Sequence, residues 1–215
     1  MFGRISWTLQ LDPLPLYDCN KMLEAQGFKS STYEKFKVLS VTNGIPWYIE
    51  QIQGQYTAED NIRRQCFTAG GVLVEEFDKI FKDLFEEKDT LYKDIILALK
   101  DGPADYDSVS RHINYPKSGR LSNYLKDLVV AGFVKQDYTW SLKTGKPTTL
   151  NNFRISDNYI RFYLKYIAPK REHIDQKQLK DINLSSLPGW DTMMGLQFEN
   201  LVANNRHELY KHLNI

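Results

Sequence analysis

Four polar residues follow one another closely: Ser118, and then Arg120, Asn123 and Lys126, which are spaced three residues apart. On a helix, this spacing brings side chains to neighbouring positions on one side. Arginine and asparagine are the side chains best suited to the edges of guanine and adenine, whereas lysine suits a phosphate. These four residues are therefore candidate nucleic-acid-binding residues.

A second pair of cations, Lys143 and Lys146, lies in a turn sequence between two β-like runs, 133–140 and 152–155. Two such runs joined by a glycine-containing turn predict a β-hairpin. At the tip of a hairpin, only phosphate is within easy reach of these lysines. Lys143 and Lys146 complete the candidate nucleic-acid-binding set.

The elements that would position both groups are three predicted helices followed by the hairpin. The helices cover 91–99, about 107–113 and about 118–131, and Gly132 stands where a left-handed residue ends the third helix. Apolar residues of the third helix at i, i+3, i+4 and i+7 are expected to face the core: Leu121, Tyr124, Leu125 and Leu128. This order predicts a winged helix-turn-helix, a fold that often contacts DNA.

The charge of the chain is unevenly distributed. The 215 residues carry a net charge of only +1, which argues against a general nucleic-acid coat. Residues 104–154 contain eight Lys or Arg and four Asp, a local excess of +4. The excess coincides with the predicted winged helix, although a solvated helix surface would show the same composition.

Cysteine and histidine usage excludes several classes of protein. Cys19 and Cys66 are far apart and form no CxxC motif, which favours a reducing compartment. No apolar run reaches the roughly 18 residues of a membrane span, and no signal-peptide pattern opens the chain. The four histidines show no ligand spacing, so we expect no metal site, and we expect no cofactor. The cysteines and the lack of a membrane span or signal peptide predict a cytoplasmic location.

The rest of the chain is predicted to be mainly helical. Residues 2–11 alternate as in a strand, and helical patterns follow at about 17–26, after Thr32, at 58–67 and at 73–85. A helix at 157–167, capped by Ser156, follows the wing. Residues 169–188 are polar and are expected to be a linker. The four tryptophans, Trp7, Trp47, Trp140 and Trp190, are interpreted as packing residues.

Four phrases, in this order, resemble the C-terminal half of the archaeal-type ATPases of the AAA+/STAND class. A Phe-Gly-Arg phrase at 2–4 and Leu-x-Pro-Leu at 11–14 resemble the strand that closes the ATPase core. Gly-Ile-Pro at 44–46 resembles a phrase of the helical lid. Residues 153–163 resemble the phrase that closes the winged helix, and Gly-x-x-Phe-Glu at 195–199 resembles the start of a nuclease-like domain.

The resemblance implies a division of the chain into five parts. These are a residual strand of the ATPase core (1–12), a helical lid-like domain (13–88), a winged helix domain (89–168), a linker (169–188) and the start of a truncated nuclease-like domain (189–215). It also implies that Gly44, Ile45 and Pro46 form a nucleotide-sensing motif, inactive without a core. The simpler interpretation is a helix start with proline in its first turn.

The departures from the family argue against an enzyme. No G-x-x-x-x-G-K-[ST] phosphate loop occurs, and Gly70 and Gly71 precede Val72 rather than a lysine. Glu199 has no evident carboxylate partners for a metal-dependent nuclease and is expected to lie on a solvated helix face. We therefore expect a noncatalytic, truncated product or excised piece of an ATPase-family regulator.

Two functions follow from these patterns. The winged helix is a candidate module for binding double-stranded DNA. Alternatively, it is a protein-protein interaction or oligomerisation module that couples an ATPase core to an effector domain. Self-association through the N-terminal strand or exposed truncated ends is expected in the second case. Both interpretations remain open at the level of sequence, as does a third, in which the intact parent is an ATP-driven enzyme and this chain is its regulatory half.

Overall fold

The computed structural model describes residues 12–85 and 89–214, and these residues are mainly helical. The first part comprises α1 (Leu16–Ala25), α2 (Thr32–Thr42), α3 (Pro46–Glu50), α4 (Ala58–Cys66) and α5 (Val72–Phe85). Next come α6 (Asp89–Ala98), α7 (Tyr106–His112), α8 (Gly119–Val130) and an antiparallel hairpin of β1 (Val134–Ser141) and β2 (Lys146–Ile155). The predicted fold class, a helical part followed by a winged helix-turn-helix, is confirmed. The strand predicted at 2–11 lies outside the described residues.

The chain after the hairpin is also helical. It comprises α9 (Asn158–Phe162), a π-helical turn (Tyr163–Ile167), a 3₁₀ turn (Ala168–Lys170), α10 (Arg171–Asp175), a second 3₁₀ turn (Leu184–Ser186), α11 (Trp190–Asn204) and α12 (Arg206–Leu213). Segment 169–188, expected to be a linker, buries Ile174, Leu184 and Leu187 in the main core. These three residues anchor the segment to the core, and its assignment as a linker stays a prediction.

Polar side chains begin several of the helices. The Ser31 and Thr57 side chains accept hydrogen bonds from the N–H groups of Glu34 and Asp60, which satisfies donors that a helix leaves free at its start. Ser156, predicted to cap α9, does not do so. Its hydroxyl donates to the Gly132 carbonyl at 2.6 Å, and the neighbouring Asp157 caps α9 instead.

The hairpin is joined to the helices at its base. Gly132 ends the turn after α8 with φ +82°, the left-handed conformation predicted for it. Ala104, in the loop before α7, exchanges two backbone hydrogen bonds with Phe153 of β2, at 2.8 and 2.9 Å. This bridge fixes the start of the helix-turn-helix against the sheet, a connection that the sequence patterns did not indicate.

The main core is continuous from the helical part to α11, and α9 with its π-helical turn forms its centre. The Tyr159 hydroxyl donates to the Leu73 carbonyl at 2.9 Å, and the Tyr163 ring stacks on Phe77 at 4.3 Å between centroids. Buried aromatic pairs of this kind stabilise a core beyond their burial of area. Segment 153–163, singled out by its resemblance, therefore connects the winged helix with the helical part through packing.

A smaller cluster lies under α1 to α3. It comprises Cys19, Leu23, Phe28, Val38, Leu39, Ile49, Ile52, Ala58 and Leu201, the last from α11. The predicted division into five parts stays a prediction, although buried residues cross its boundaries at 88, 168 and 188. Cys19 and Cys66 are both buried and free, and burial raises the pKa of each thiol.

The tryptophans divide into two groups. Trp190 is buried against Phe162 and Tyr166, as expected of a packing residue. Trp47 and Trp140 are 44% and 60% exposed, so neither is buried in the core. Trp47 still packs edge-to-face on Tyr48, whereas the interpretation of Trp140 as a packing residue was wrong. The fourth, Trp7, lies outside the described residues. Exposure on this scale is unusual for tryptophan and makes Trp140, on the hairpin, a residue of functional interest.

Candidate nucleic-acid interface

Helix α8 has a buried side and an exposed side, as its sequence predicts. The residues expected to face the core are all buried: Leu121, Tyr124, Leu125 and Leu128. Arg120, Asn123 and Lys126 are exposed on the other side. The helix packs on α6 and β1, and this packing holds the exposed side outward.

Ser118 fixes the start of α8. Its hydroxyl accepts a hydrogen bond from the Leu121 N–H at 3.3 Å. Its backbone N–H donates to the Tyr106 hydroxyl at 3.0 Å, and that hydroxyl donates to the Ser118 carbonyl at 2.9 Å. Ser118 is thus engaged as a helix cap and positions Arg120 two residues later, a structural role alongside its predicted one.

Arg120 lies beside the aromatic ring of Tyr124. Its guanidinium lies 6.0 Å from the Tyr124 ring centroid, within the range of a cation–π contact. Hydrogen bonding to Tyr124 is the largest cause that raises the pKa of Arg120, followed by the electrostatic interactions with Tyr124 and Tyr115. The guanidinium therefore lies near the Tyr124 ring, and the Arg120 side chain is exposed.

The hairpin turn exposes the other two candidate cations. Lys143 and Lys146 flank Gly145, whose φ of +61° requires a residue that tolerates the left-handed conformation. Ser141 closes the turn: its carbonyl accepts from the Gly145 N–H at 2.9 Å, and its hydroxyl accepts from the Thr144 N–H at 3.3 Å. Both lysines are exposed at the end of the hairpin.

Cations of the winged helix differ in whether an acid neutralises them. Lys117 pairs with Asp107 at 2.7 Å, and Arg154 pairs with Asp137 at 2.5 Å. All four candidate cations pair with no acid in residues 12–85 or 89–214: Arg120, Lys126, Lys143 and Lys146. The exposed side of α8 and the hairpin turn thus carry four of the six cations of residues 104–154 that pair with no acid in the described part of the chain. Arg111 on α7 and Lys135 on β1 are the other two.

A buried polar network behind the winged helix was missed by sequence reasoning. Asn158 and Arg161 of α9 meet Gln197 and Asn200 of α11. The Gln197 amide donates to the backbone carbonyls of Ser40 and Asn158, each at 2.7 Å. The network therefore connects α2, α9 and α11. Two polar pairs at i, i+3, Asn158 with Arg161 and Gln197 with Asn200, are the signal that could have revealed it.

Arg161 is the charged member of this network. It is 2% exposed and donates to the Gln197 side chain and the Ile155 carbonyl, each at 2.9 Å. Burial lowers the pKa of Arg161 to about 10, so the guanidinium is still protonated at neutral pH. Its Nε has no hydrogen-bond partner among the described residues. Because Ile155 ends β2, Arg161 ties the hairpin to α11.

The Gly44-Ile45-Pro46 phrase starts a helix. Ile45 is the N-cap of α3 and Pro46 occupies its first turn, which agrees with the simpler interpretation. Gly44 is buried, and its carbonyl accepts from the Leu14 N–H at 2.8 Å. A Cβ at Gly44 would collide with the Leu14 backbone, so close approach explains the glycine. The nucleotide-sensing role stays a prediction.

The segment that resembles the start of a nuclease-like domain lies in α11. Glu199 and Phe198 are exposed, whereas Gln197 and Asn200 are buried. The solvated position expected for Glu199 is confirmed. Among the residues that the structure describes, no group of three or more His, Cys, Asp or Glu could hold a metal ion, and no helix has the length and apolarity to cross a membrane.

Comparison with known proteins adds one relative of undefined activity. An uncharacterized protein of Methanocaldococcus jannaschii is 28% identical over 178 residues. The match covers 82% of this chain but only 38% of the relative, so the chain spans well under half of that protein's length. No family model matches the chain, and no solved structure does. The relative indicates that a similar chain occurs within a longer protein.

Proposed function

We propose that this chain is a noncatalytic part of an ATPase-family regulator and that its winged helix binds double-stranded DNA. One observation carries the proposal. Arg120, Asn123 and Lys126 share the exposed side of α8, and none of the cations among them is neutralised by an acid of the described chain. The exposed lysines of the hairpin turn extend the same kind of surface.

The chemistry of this surface matches the two parts of DNA recognition. Arg120 and Asn123 stand near the start of α8, the part of a recognition helix that meets base edges in the major groove. Lys126, Lys143 and Lys146 have the reach and charge for phosphates. With a net charge of +1, the chain has little general attraction for DNA, so binding would depend on this local surface.

The test compares two variants across a salt series. Arg120→Ala removes a base-reading side chain, and we expect it to cost about 1–3 kcal/mol on a preferred site and to reduce discrimination among sequences. The double substitution of Lys143 and Lys146 by alanine removes phosphate contacts. We expect it to weaken all duplexes alike and to lower the salt slope by roughly one to two units.

Lys29→Ala is the matched control, because Lys29 is an exposed cation between α1 and α2, outside the winged helix. It should leave both the affinity and the salt slope unchanged. A wild-type dissociation constant weaker than about 10⁻⁴ M at low salt would refute DNA binding. An effect of Lys29→Ala equal to that of the hairpin variant would show attraction to overall charge alone.

Protein-protein coupling is the second candidate. The observation that favours it is the buried network through Arg161 and Gln197, which holds the winged helix in a fixed relation to α2 and α11. Phe198 and Val202 also leave an exposed apolar strip on α11. If the chain is such a module, the Arg120→Ala variant should bind the protein partner as tightly as the wild type does. Neither form should bind duplex DNA.

A further inference from the structure

The end of the β-hairpin carries large apolar side chains in solvent. Tyr138 is 61% exposed, Trp140 is 60% exposed and Leu142 is 98% exposed. Single exposed apolar residues are ordinary, but three at alternate positions of one strand and its turn form a patch that indicates a binding surface. Two of the three are aromatic and therefore present flat ring faces.

The strand geometry explains why these side chains are exposed. Residues two apart on a strand point to the same face, and the face that begins with buried Val134 continues to Tyr138 and Trp140. Tyr138 pairs with Asn151, and Trp140 pairs with Pro147, so β2 contains two more residues than β1 between these pairs. This bulge separates the packed base of the hairpin from its exposed end.

Positive charge lies at the same end of the hairpin as the exposed rings. Lys146 of β2 lies opposite Ser141, which is the residue after Trp140 on β1. Lys143 follows in the turn. Residues 134–155 contain three lysines and one arginine against one aspartate, a net charge of +3. The aspartate, Asp137, is already paired with Arg154 at the base. The exposed end therefore combines aromatic faces with unneutralised lysines.

We propose that this end of the hairpin, formed by Tyr138, Trp140, Lys143 and Lys146, stacks on unpaired bases at a junction between single-stranded and double-stranded DNA. The inference rests on the proposed function and adds a preferred DNA structure to it. Aromatic rings stack on any base whose face is free, and the lysines meet the adjacent phosphates. Within an intact duplex, base faces are covered by their neighbours, so the rings select opened or forked DNA.

The test measures the affinity of the full chain for a forked DNA and for a blunt duplex of the same paired sequence. Trp140→Ala should weaken binding to the fork about tenfold and leave blunt-duplex binding unchanged. Trp140→Phe keeps a ring and should retain most of the affinity for the fork. Tyr138→Ala should act in the same direction, with Tyr17→Ala as the matched control because Tyr17 is equally exposed on α1.

The outcomes separate this inference from the function on which it rests. Suppose that the wild type binds the duplex, and that Trp140→Ala weakens binding to fork and duplex equally or weakens binding to neither. The stacking proposal is then overturned, and duplex binding stands. If the wild type binds neither DNA, both are overturned. If Trp140→Ala changes only self-association, measured by light scattering, the patch is a contact between protein chains and the proposal is wrong.

Discussion

Replacement of Arg161 by alanine tests the buried connection between the winged helix and the rest of the fold. The two 2.9 Å hydrogen bonds from its guanidinium contribute roughly 3–6 kcal/mol, because each has a charged donor. Burial opposes this gain: the fall of the pKa of Arg161 to about 10 corresponds to roughly 3 kcal/mol. The alanine variant also leaves the Gln197 side-chain oxygen without this donor, which costs roughly 1–3 kcal/mol of stability. It removes the packed aliphatic stem of Arg161 as well. We expect a net destabilisation of about 3–5 kcal/mol.

The assay is thermal and urea unfolding followed by circular dichroism. For a chain of this length, the expected loss lowers Tm by about 10 °C. Arg161→Met keeps most of the stem and should lose about half as much stability. Arg111→Ala is the control, since Arg111 is exposed on α7 and, among the described residues, its side chain donates to Asp107 and Ser108 of its own helix. A Tm for Arg161→Ala within about 1 °C of the wild type would refute the reasoning.

Two further predictions concern Asp157 and Gly44. Burial raises the pKa of Asp157 to about 6, so its contribution to stability is complete below its unfolded pKa of about 4 and is lost as pH rises through 6. Between pH 4 and pH 7, the free energy of unfolding of the wild type in urea should fall by up to about 3 kcal/mol relative to that of Asp157→Asn, whose side chain still caps α9. If the two free energies change in parallel with pH, the prediction is wrong. Gly44→Ala should cost about 1–3 kcal/mol in the same assay because its Cβ meets the Leu14 backbone. Gly119→Ala, which points into open space, should be neutral or slightly stabilising, and equal effects at the two glycines would count against the close-approach argument.

Local sequence patterns predicted the fold class and the two sides of α8. The periodicity of Leu121, Tyr124 and Leu128 predicts the buried side, and it places Arg120 and Asn123 in solvent without any further information. The turn residues between the β-like runs predicted the hairpin, and Gly132 predicted the end of α8. These features depend on residues a few positions apart, so a single chain segment contains all the information they need.

The cap of α9 was misplaced because two adjacent residues could both perform that role. Ser156 and Asp157 have side chains that accept from a helix start. Only the tertiary structure brings the Gly132 carbonyl within 2.6 Å of the Ser156 hydroxyl, and this contact engages Ser156 and leaves Asp157 as the cap. Competition between neighbouring residues of similar chemistry is thus decided by distant parts of the chain.

By itself, the sequence determined which residues share a helix side or a strand, and hence where Arg120, Asn123 and the hairpin lysines would be exposed. The tertiary structure alone decided that Arg161 and Gln197 meet in a buried network and that Trp140 is exposed. The physical reason is that local periodicity records which side chains share a face, whereas burial depends on whether another element covers that face. At Val134 the face of β1 is covered, and at Trp140 it is open to solvent.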